Sequence, residues 1–179
     1  RGVPVALLRE PGGVEISERI RELVQDPALT VGARAEALLY AAARAQLTEE
    51  AIKPLLAIGR WVLLDRFIDS SLAYQGAGRG LGADAVQAIN DFATAGLRAD
   101  RTLLLDVDPA VGRARLRSRG RAADRLEREE HDFFERVAAG YRALAQSDPG
   151  RVRLIDASMA PAEVLAAALA ALSDLLQAS

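Results

Sequence analysis

Four short apolar runs, each closing on polar or charged residues, alternate along the chain with segments whose apolar positions recur at helical spacing. The runs are VPVALL (3–8), RWVLLD (60–65), RTLLLDVD (101–108) and RVRLIDAS (151–158), each with the length of a buried strand. Helices are predicted for EISERIRELVQD (15–26), where Ile16, Ile20 and Leu23 share a face, and for the alanine- and leucine-rich stretch 33–58. Further helices are predicted over 83–97, 110–117, 127–146 and 162–177, with Phe133, Phe134, Val137 and Tyr141 on the apolar side of the fifth. The long stretch is expected to break near Leu47–Thr48, and Pro54 marks either a kink or a change of register. Strands separated by helices predict an α/β fold, a three-layer sandwich on a parallel β-sheet, in a single domain over 1–179. Such sheets bind ligands at the carboxyl ends of their strands. Here those ends carry REPGG (9–13), Asp65–Arg66, DVDP (106–109) and DAS (156–158), so the polar residues gather where the architecture puts its site.

Composition narrows the chemistry. Half the residues are hydrophobic, enough for a sizeable core and too many for a disordered chain. With no cysteine there is no disulfide, thiol nucleophile or cysteine metal site, and His131 alone cannot build a histidine cluster. His131, Trp61 and Met159 read as structural residues. No signal peptide and no long uncharged apolar run is seen, so the expectation is a soluble, cytoplasmic protein with no membrane partner. The net charge of −2 argues against a general nucleic-acid partner. Of the 23 basic residues, all but Lys53 are arginine. Arginine suits bidentate phosphate recognition, although genome composition explains a high total as well, so clustering has to decide.

The densest cluster of candidate chemistry is DRFIDSSLAYQGAGRG (65–80). Asp65 and Arg66 at a strand end can simply pair with each other. Ser70, Ser71, Tyr74 and Gln75, however, add neutral donors and acceptors that suit a nucleobase edge and a sugar better than a metal. Gly76, Gly78 and Gly80 permit close backbone approach. Together these residues favour a ligand site.

In order and spacing, REPGG, LLYAAARAQ, DRFIDSSLAYQGAGRG, LDVDP, DRLE, FFERV with a following tyrosine, and IDAS resemble the bacterial thymidylate kinase family through nearly the whole chain. The resemblance implies a P-loop nucleoside-monophosphate kinase fold. It also implies the transfer ATP + dTMP → ADP + dTDP in dTTP biosynthesis, with ATP as co-substrate, Mg2+ as cofactor and a homodimer as the assembly. The alanines of 33–46 suit packing against a partner or within a core equally. A phosphate monoester has a second pKa of about 6, so dTMP is largely dianionic at neutral pH. Catalysis then needs alignment of two anions and stabilisation of moving charge rather than a strong base.

Carried over residue by residue, the resemblance places the dTMP phosphate among Arg9, Arg21 and Arg66. Glu10 and Asp65 would orient these arginines or a magnesium-bound water. Tyr40 falls where the family stacks an aromatic ring on thymine, and Arg44, one turn later on the same helix face, where an arginine reads a base carbonyl. On the residues alone Tyr40 reads equally as a core aromatic. Ser71 and Gln75 would bind the base edge, and Tyr74 would pack on the sugar and disfavour a 2′-hydroxyl. The arginine-rich segment 113–127 resembles the lid over ATP, with Arg117, Arg119 and Ala157 on the ATP side. The catalytic set so implied is Asp65, Arg66 and a lid arginine, Arg119 or Arg121; no metal ligand set is assigned. Asp124, Arg125 and Glu127 would alternatively form ion pairs at the lid's base.

The family begins with a strand, a G-x-x-x-x-G-K-[ST] loop and a helix ahead of REPGG. The 179 residues contain no such loop, and Lys53, in helical context without glycines, does not substitute. The expectation is a kinase fold lacking its first strand, P-loop and first helix, with little or no turnover by these residues alone. A P-loop-deficient, non-catalytic dimeric nucleotide-binding paralogue is the second reading. Ala43 stands where a polar residue commonly precedes the base-reading arginine, which leaves open a kinase for another deoxynucleoside monophosphate.

Overall fold

The computed structural model describes residues 2–118 and 124–177. The first half runs β1 (Val5–Arg9), α1 (Glu15–Gln25), α2 (Ala33–Leu47), a π-helical segment (Thr48–Ile52), α3 (Lys53–Ala57) and β2 (Trp61–Asp65). Then come α4 (Ile68–Ser71), a second π-helical segment (Leu72–Gly78), α5 (Ala83–Thr94), β3 (Thr102–Asp106) and α6 (Pro109–Ser118). The chain closes with α7 (His131–Ser147), β4 (Val152–Asp156), α8 (Pro161–Ala171) and α9 (Ser173–Gln177). The expected break at Leu47–Thr48 is the first π segment, a change of helical register, and Pro54 is the second residue of α3, which continues directly from it.

The strands are parallel, as expected, but they form two pairs among the described residues rather than one continuous sheet. β1 pairs with β2, Arg9 opposite Asp65, and β3 pairs with β4, Asp106 opposite Asp156. Each register aligns two carboxyl ends, so the polar loops that follow the strands emerge side by side. Parallel sheets are normally covered on both faces; here Leu7, Leu63, Leu105 and Leu154 remain more than half exposed.

Two small cores organise the rest. Ile68, Leu72 and Val86 join α4, the second π segment and α5. Ala73, Phe133 and Val137 join that segment to α7. Glycine sets the second contact: a Cβ on Gly78 would lie 2.7 Å from Val137 and 2.8 Å from Phe133, so α7 lies directly on the π segment. Helix α1 packs against expectation. Its predicted apolar face is turned outward, with Ile16 and Leu23 about half exposed, while Ser17 and Val24 are buried. The reason is a hydrogen bond from the Ser17 hydroxyl to the Ala43 carbonyl at 2.7 Å, which seats α1 on α2 through small residues.

A polar knot fixes α4 to the second strand pair. Arg151 donates from Nη1 to Asp69 Oδ2 at 2.8 Å and from Nη2 to Oδ1 at 2.9 Å, while the Thr102 hydroxyl donates to Oδ2 at 2.6 Å. Burial opposes the charge on Asp69, but hydrogen bonds from Arg151 and Thr102 outweigh it and hold the carboxyl below its ordinary 3.8. A carboxylate whose folded pKa is depressed stabilises the fold above its unfolded value and loses that contribution as pH falls through the folded one. Asp69→Asn should therefore cost about 1–3 kcal/mol near neutral pH, because the half-buried Arg151 loses a charge-assisted pair of hydrogen bonds and keeps only Asp148. The fall in melting temperature between about pH 6 and about pH 3 should be smaller in the variant than in the wild type. Thermal melts across that range check both points.

Candidate functional site

The two loops that top β1 and β2 are joined at their roots: the Glu10 N–H donates to the Asp65 carbonyl at 3.0 Å. Glu10 then turns its carboxylate inward, where it meets Arg44 from α2. Arg44 is 2% exposed. Its Nε donates to Glu10 Oε2 at 2.8 Å, and its Nη2 lies 2.5 Å from the same oxygen. Nη1 donates to the Ser71 hydroxyl at 2.9 Å and to the Asn90 side-chain oxygen. Asn90 is itself held by its amide nitrogen on the Val86 carbonyl at 2.7 Å. Four of the five guanidinium N–H groups are thus committed, and one on Nη2 remains among the described residues. Burial pushes the Glu10 carboxyl up, and Arg44 offsets only part of that rise. The support that Ala43 does not provide comes to Arg44 from Glu10, Ser71 and Asn90 instead.

The REPGG loop is shaped by Glu18, a residue the motif does not include. The Arg9 Nη2 donates to both Glu18 oxygens, at 2.9 and 3.1 Å, and the Gly13 N–H donates to Oε1 at 2.8 Å. Gly12 has φ +136°, a conformation that favours glycine, and it lies close under the Arg9–Glu18 ion pair. Arg21 donates to the Pro11 carbonyl at 2.9 Å, across the cis Glu10–Pro11 peptide. Arg9 and Arg21 both reach this one loop, although Arg9 is engaged by Glu18.

Arg66, the first residue after β2, has φ +72°, a left-handed conformation that a non-glycine residue adopts only where its surroundings hold it there. Its guanidinium sits 5.0 Å from the centre of the Tyr74 ring and is 3.4 Å from the Tyr74 hydroxyl. Tyr74 is in turn fixed edge-on by Phe133 and Tyr141, and the Tyr141 hydroxyl donates to Ser70 at 2.8 Å. Asp65 is exposed at the strand end beside Arg66. Tyr40 is half-buried; burial, and after it the Glu36 carboxylate, push its hydroxyl up to about 12, so it stays protonated at neutral pH.

Gln75 leads to the residue that sequence reasoning overlooked. Its amide nitrogen donates to Glu36 at 2.9 Å, and Glu36 is fully buried. Arg79 donates to both oxygens of Glu36, and Arg125 donates to Oε2 at 2.6 Å and to the Val24 carbonyl at 2.9 Å. Arg79 also pairs with Glu129 and lies 4.7 Å from the centre of the Phe133 ring. Burial alone would raise the Glu36 carboxyl, but hydrogen bonds from Arg79, Gln75 and Arg125 hold it below its usual range. A signal for Glu36 does exist in the sequence: it precedes Tyr40 and Arg44 at steps of four, on the same helix face. Asn90 has the weaker signal of an amide flanked by the buried Val86, Ala93 and Thr94 in α5.

The ATP-side residues are partly described. Arg119 and Arg121 lie outside the described residues, Arg117 falls on α6 with its side chain outside the described part, and residues 113–118 of the expected lid are helical. Ala157 caps the other strand pair: its N–H donates to the Asp106 carbonyl at 2.8 Å, and its own carbonyl accepts from Arg115 at 3.2 Å. At the lid's base Asp124 and Glu127 cap each other's backbone N–H groups, while Arg125 turns to Glu36. A cavity of about 500 Å³ between α7 and β4, lined by Arg142, Gln146, Arg153 and Leu154, shares none of the site residues. Among the described residues, no group of three or more acidic or imidazole side chains is placed to hold a metal. Among them, too, no helix is long and apolar enough to cross a membrane.

The model of the family described as thymidylate kinase matches residues 1–168. A thymidylate kinase of Lactobacillus delbrueckii subsp. bulgaricus is 50% identical over 167 residues, covering 92% of this chain and 79% of that protein. One from Lacticaseibacillus casei is 52% identical over 168 residues, covering 92% and 78%. One from Pelotomaculum thermopropionicum is 48% identical over 178 residues, covering 99% and 82%.

Removing one partner of a buried ion pair leaves an uncompensated charge. Arg44→Met should destabilise the protein by about 3 kcal/mol in denaturant unfolding, and adding Glu10→Met should recover part of that loss. If the double variant is less stable than the single one, Glu10 is held by groups other than Arg44.

Proposed function

The chain belongs to the thymidylate kinase family, and from that premise we propose that it serves phosphorylation of dTMP by ATP, giving ADP and dTDP. The observation that carries the reading is the joining of Glu10, Arg44 and Ser71 into one buried network beside Arg66 and Tyr74. The relatives named thymidylate kinase, about half identical over most of the chain, support the same reading.

In this reading the phosphate of dTMP meets Arg66, with Arg9 and Arg21 completing the cationic rim, and a ligand phosphate competes with Glu18 for Arg9. Tyr40 covers one face of the thymine. Arg44 offers its remaining N–H to a base carbonyl, Ser71 and Gln75 line the base edge, and Tyr74 borders the sugar. A phosphate oxygen of dTMP attacks the γ-phosphorus of ATP; the new O–P bond forms as the bond to the ADP oxygen breaks, and the charge leaves on ADP. The fixed positive charge of the arginines offsets the repulsion between the two anions, the main demand of this reaction. Arg119 or Arg121 from the lid and Ala157 near adenine belong to the ATP side of the proposal. Magnesium would accompany the ATP phosphates and moderate their charge. The exposed carboxylate of Asp65 stands at the strand end where such an ion could be met, and among the described residues no cluster of three or more ligands accompanies it.

A homodimer and a cytoplasmic location are part of the proposal. Leu38 on α2 and Phe92 on the adjoining α5 are exposed, Phe92 at 91%, which suits a helical contact with a second copy. The buried Ala37, Ala41 and Ala43 of α2 are already used within the chain.

Calorimetry separates phosphate recognition from base recognition. Hydrogen bonds to charged groups contribute about 1.5–3 kcal/mol, so Arg66→Ala should weaken dTMP binding by roughly tenfold to a hundredfold and thymidine binding by less than about twofold. Equal losses for the two ligands would remove Arg66 from the phosphate site. Because these 179 residues contain no G-x-x-x-x-G-K-[ST], the polypeptide by itself is expected to bind dTMP with little turnover. Robust formation of dTDP by mass-verified protein would contradict that expectation.

A further inference from the structure

We infer that Glu36 is a positioning residue that sets which bases the site accepts, by holding the Gln75 side-chain amide in one orientation. The inference rests on the proposed reading of Gln75 at the base edge and adds a residue that does not itself touch the base.

An ionised carboxylate can only accept hydrogen bonds. Gln75 lies 2.9 Å from Glu36 Oε1, and the atom facing that oxygen must therefore be the amide nitrogen. A flipped amide would set two lone-pair oxygens against each other in a buried site, where an unmade hydrogen bond is costly. With one N–H committed to Glu36, the amide is held in a single orientation with its carbonyl oxygen turned away from that carboxylate, and among the described residues the oxygen accepts no hydrogen bond. The π segment that carries Gln75 is packed under α7, so the side chain has little room to adjust.

Glu36 is itself pinned. Arg79 occupies both of its oxygens, at 3.1 and 2.9 Å, and Arg125 occupies Oε2. Arg79 is anchored on Glu129 and Phe133, and Arg125 on the Val24 carbonyl. The acceptor is thus fixed from two sides of the fold before any ligand arrives.

The consequence lies in base chemistry. Thymine and uracil present an N3–H donor beside the O4 acceptor, whereas cytosine presents an N3 acceptor beside an amino donor. A fixed carbonyl oxygen on Gln75, with the remaining Arg44 N–H, matches the first pattern and opposes the second. A glutamine free to flip would match N3 of either base, leaving only the Arg44 N–H to oppose the cytosine amino group. The carboxylate at position 36 therefore supplies polarity that Gln75 alone lacks.

The test is Glu36→Gln, with dTMP, dUMP and dCMP titrated calorimetrically against both proteins. The neutral amide at position 36 can donate or accept, which frees Gln75 to turn. The variant should narrow the dTMP-to-dCMP affinity ratio by about tenfold, the scale of one mismatched buried hydrogen bond. The dTMP-to-dUMP ratio should stay unchanged, because the methyl group that separates those two is not read through the amide. An unchanged dTMP-to-dCMP ratio in folded variant, or an equal loss for all three ligands, would overturn the inference. A second measurement does not depend on the variant folding. In wild-type protein labelled with 15N, the Gln75 side-chain amide protons should be protected from exchange with and without dTMP. Rapid exchange in both states would equally overturn it. If the wild type binds none of the three nucleotides, the reading of the site itself fails and takes this inference with it.

Discussion

A guanidinium withdrawn from water must have its donors satisfied, and in this protein that requirement draws three separate parts of the chain to one point. Arg44 on α2 binds Glu10 after β1, Ser71 after β2 and Asn90 on α5. None of these groups is near the others in sequence. Removing the cation would leave Glu10, already disfavoured by burial, without the partner that lowers its cost. The strand-end loops are therefore tied to the helices by the same group that is proposed to read the base.

Around that point the site is divided by function. Cations that suit a phosphate lie on the strand ends, where Arg66 takes a left-handed conformation braced by Tyr74. Neutral groups that suit a base lie on the π segment and α2, where Glu36 gathers Gln75, Arg79 and Arg125. The π segment does two jobs, since Gly78 admits α7 on one side while Gln75 faces Glu36 on the other. Arg125 carries the same network to the residues at the foot of the expected lid, so a substitution at Glu36 reaches further than its own helix.

Much of this was legible in the sequence. Strand ends carrying REPGG and Asp65–Arg66 do emerge side by side, because parallel pairing aligns their registers. The break in the long alanine-rich stretch falls at the π segment beginning with Thr48. What escaped reading depended on tertiary partners. The apolar face of α1 was a sound expectation from spacing, but the Ser17 hydroxyl found the Ala43 carbonyl, and Ile16 and Leu23 were left outward. Ala43 accepts the Ser17 hydroxyl through its backbone carbonyl, and Asn90 helps to support Arg44 from a distant helix. The parallel pairing is as expected, while among the described residues the four strands form two pairs, since spacing along a chain does not say which strands share a ladder. Glu36 could have been found from its place one turn before Tyr40, although nothing local distinguishes it from a solvated glutamate.

In the proposed function the loops above β1 and β2 and the π segment after them form one cleft that orients a pyrimidine nucleotide. The most direct measurement is a crystal structure of the protein with dTMP. The phosphate is expected against Arg66 and the base edge against the Gln75 carbonyl oxygen, with Tyr40 over the ring. A nucleotide bound in the groove between α7 and β4 near Arg142 and Arg153, or one with its phosphate at Gln75, would contradict it.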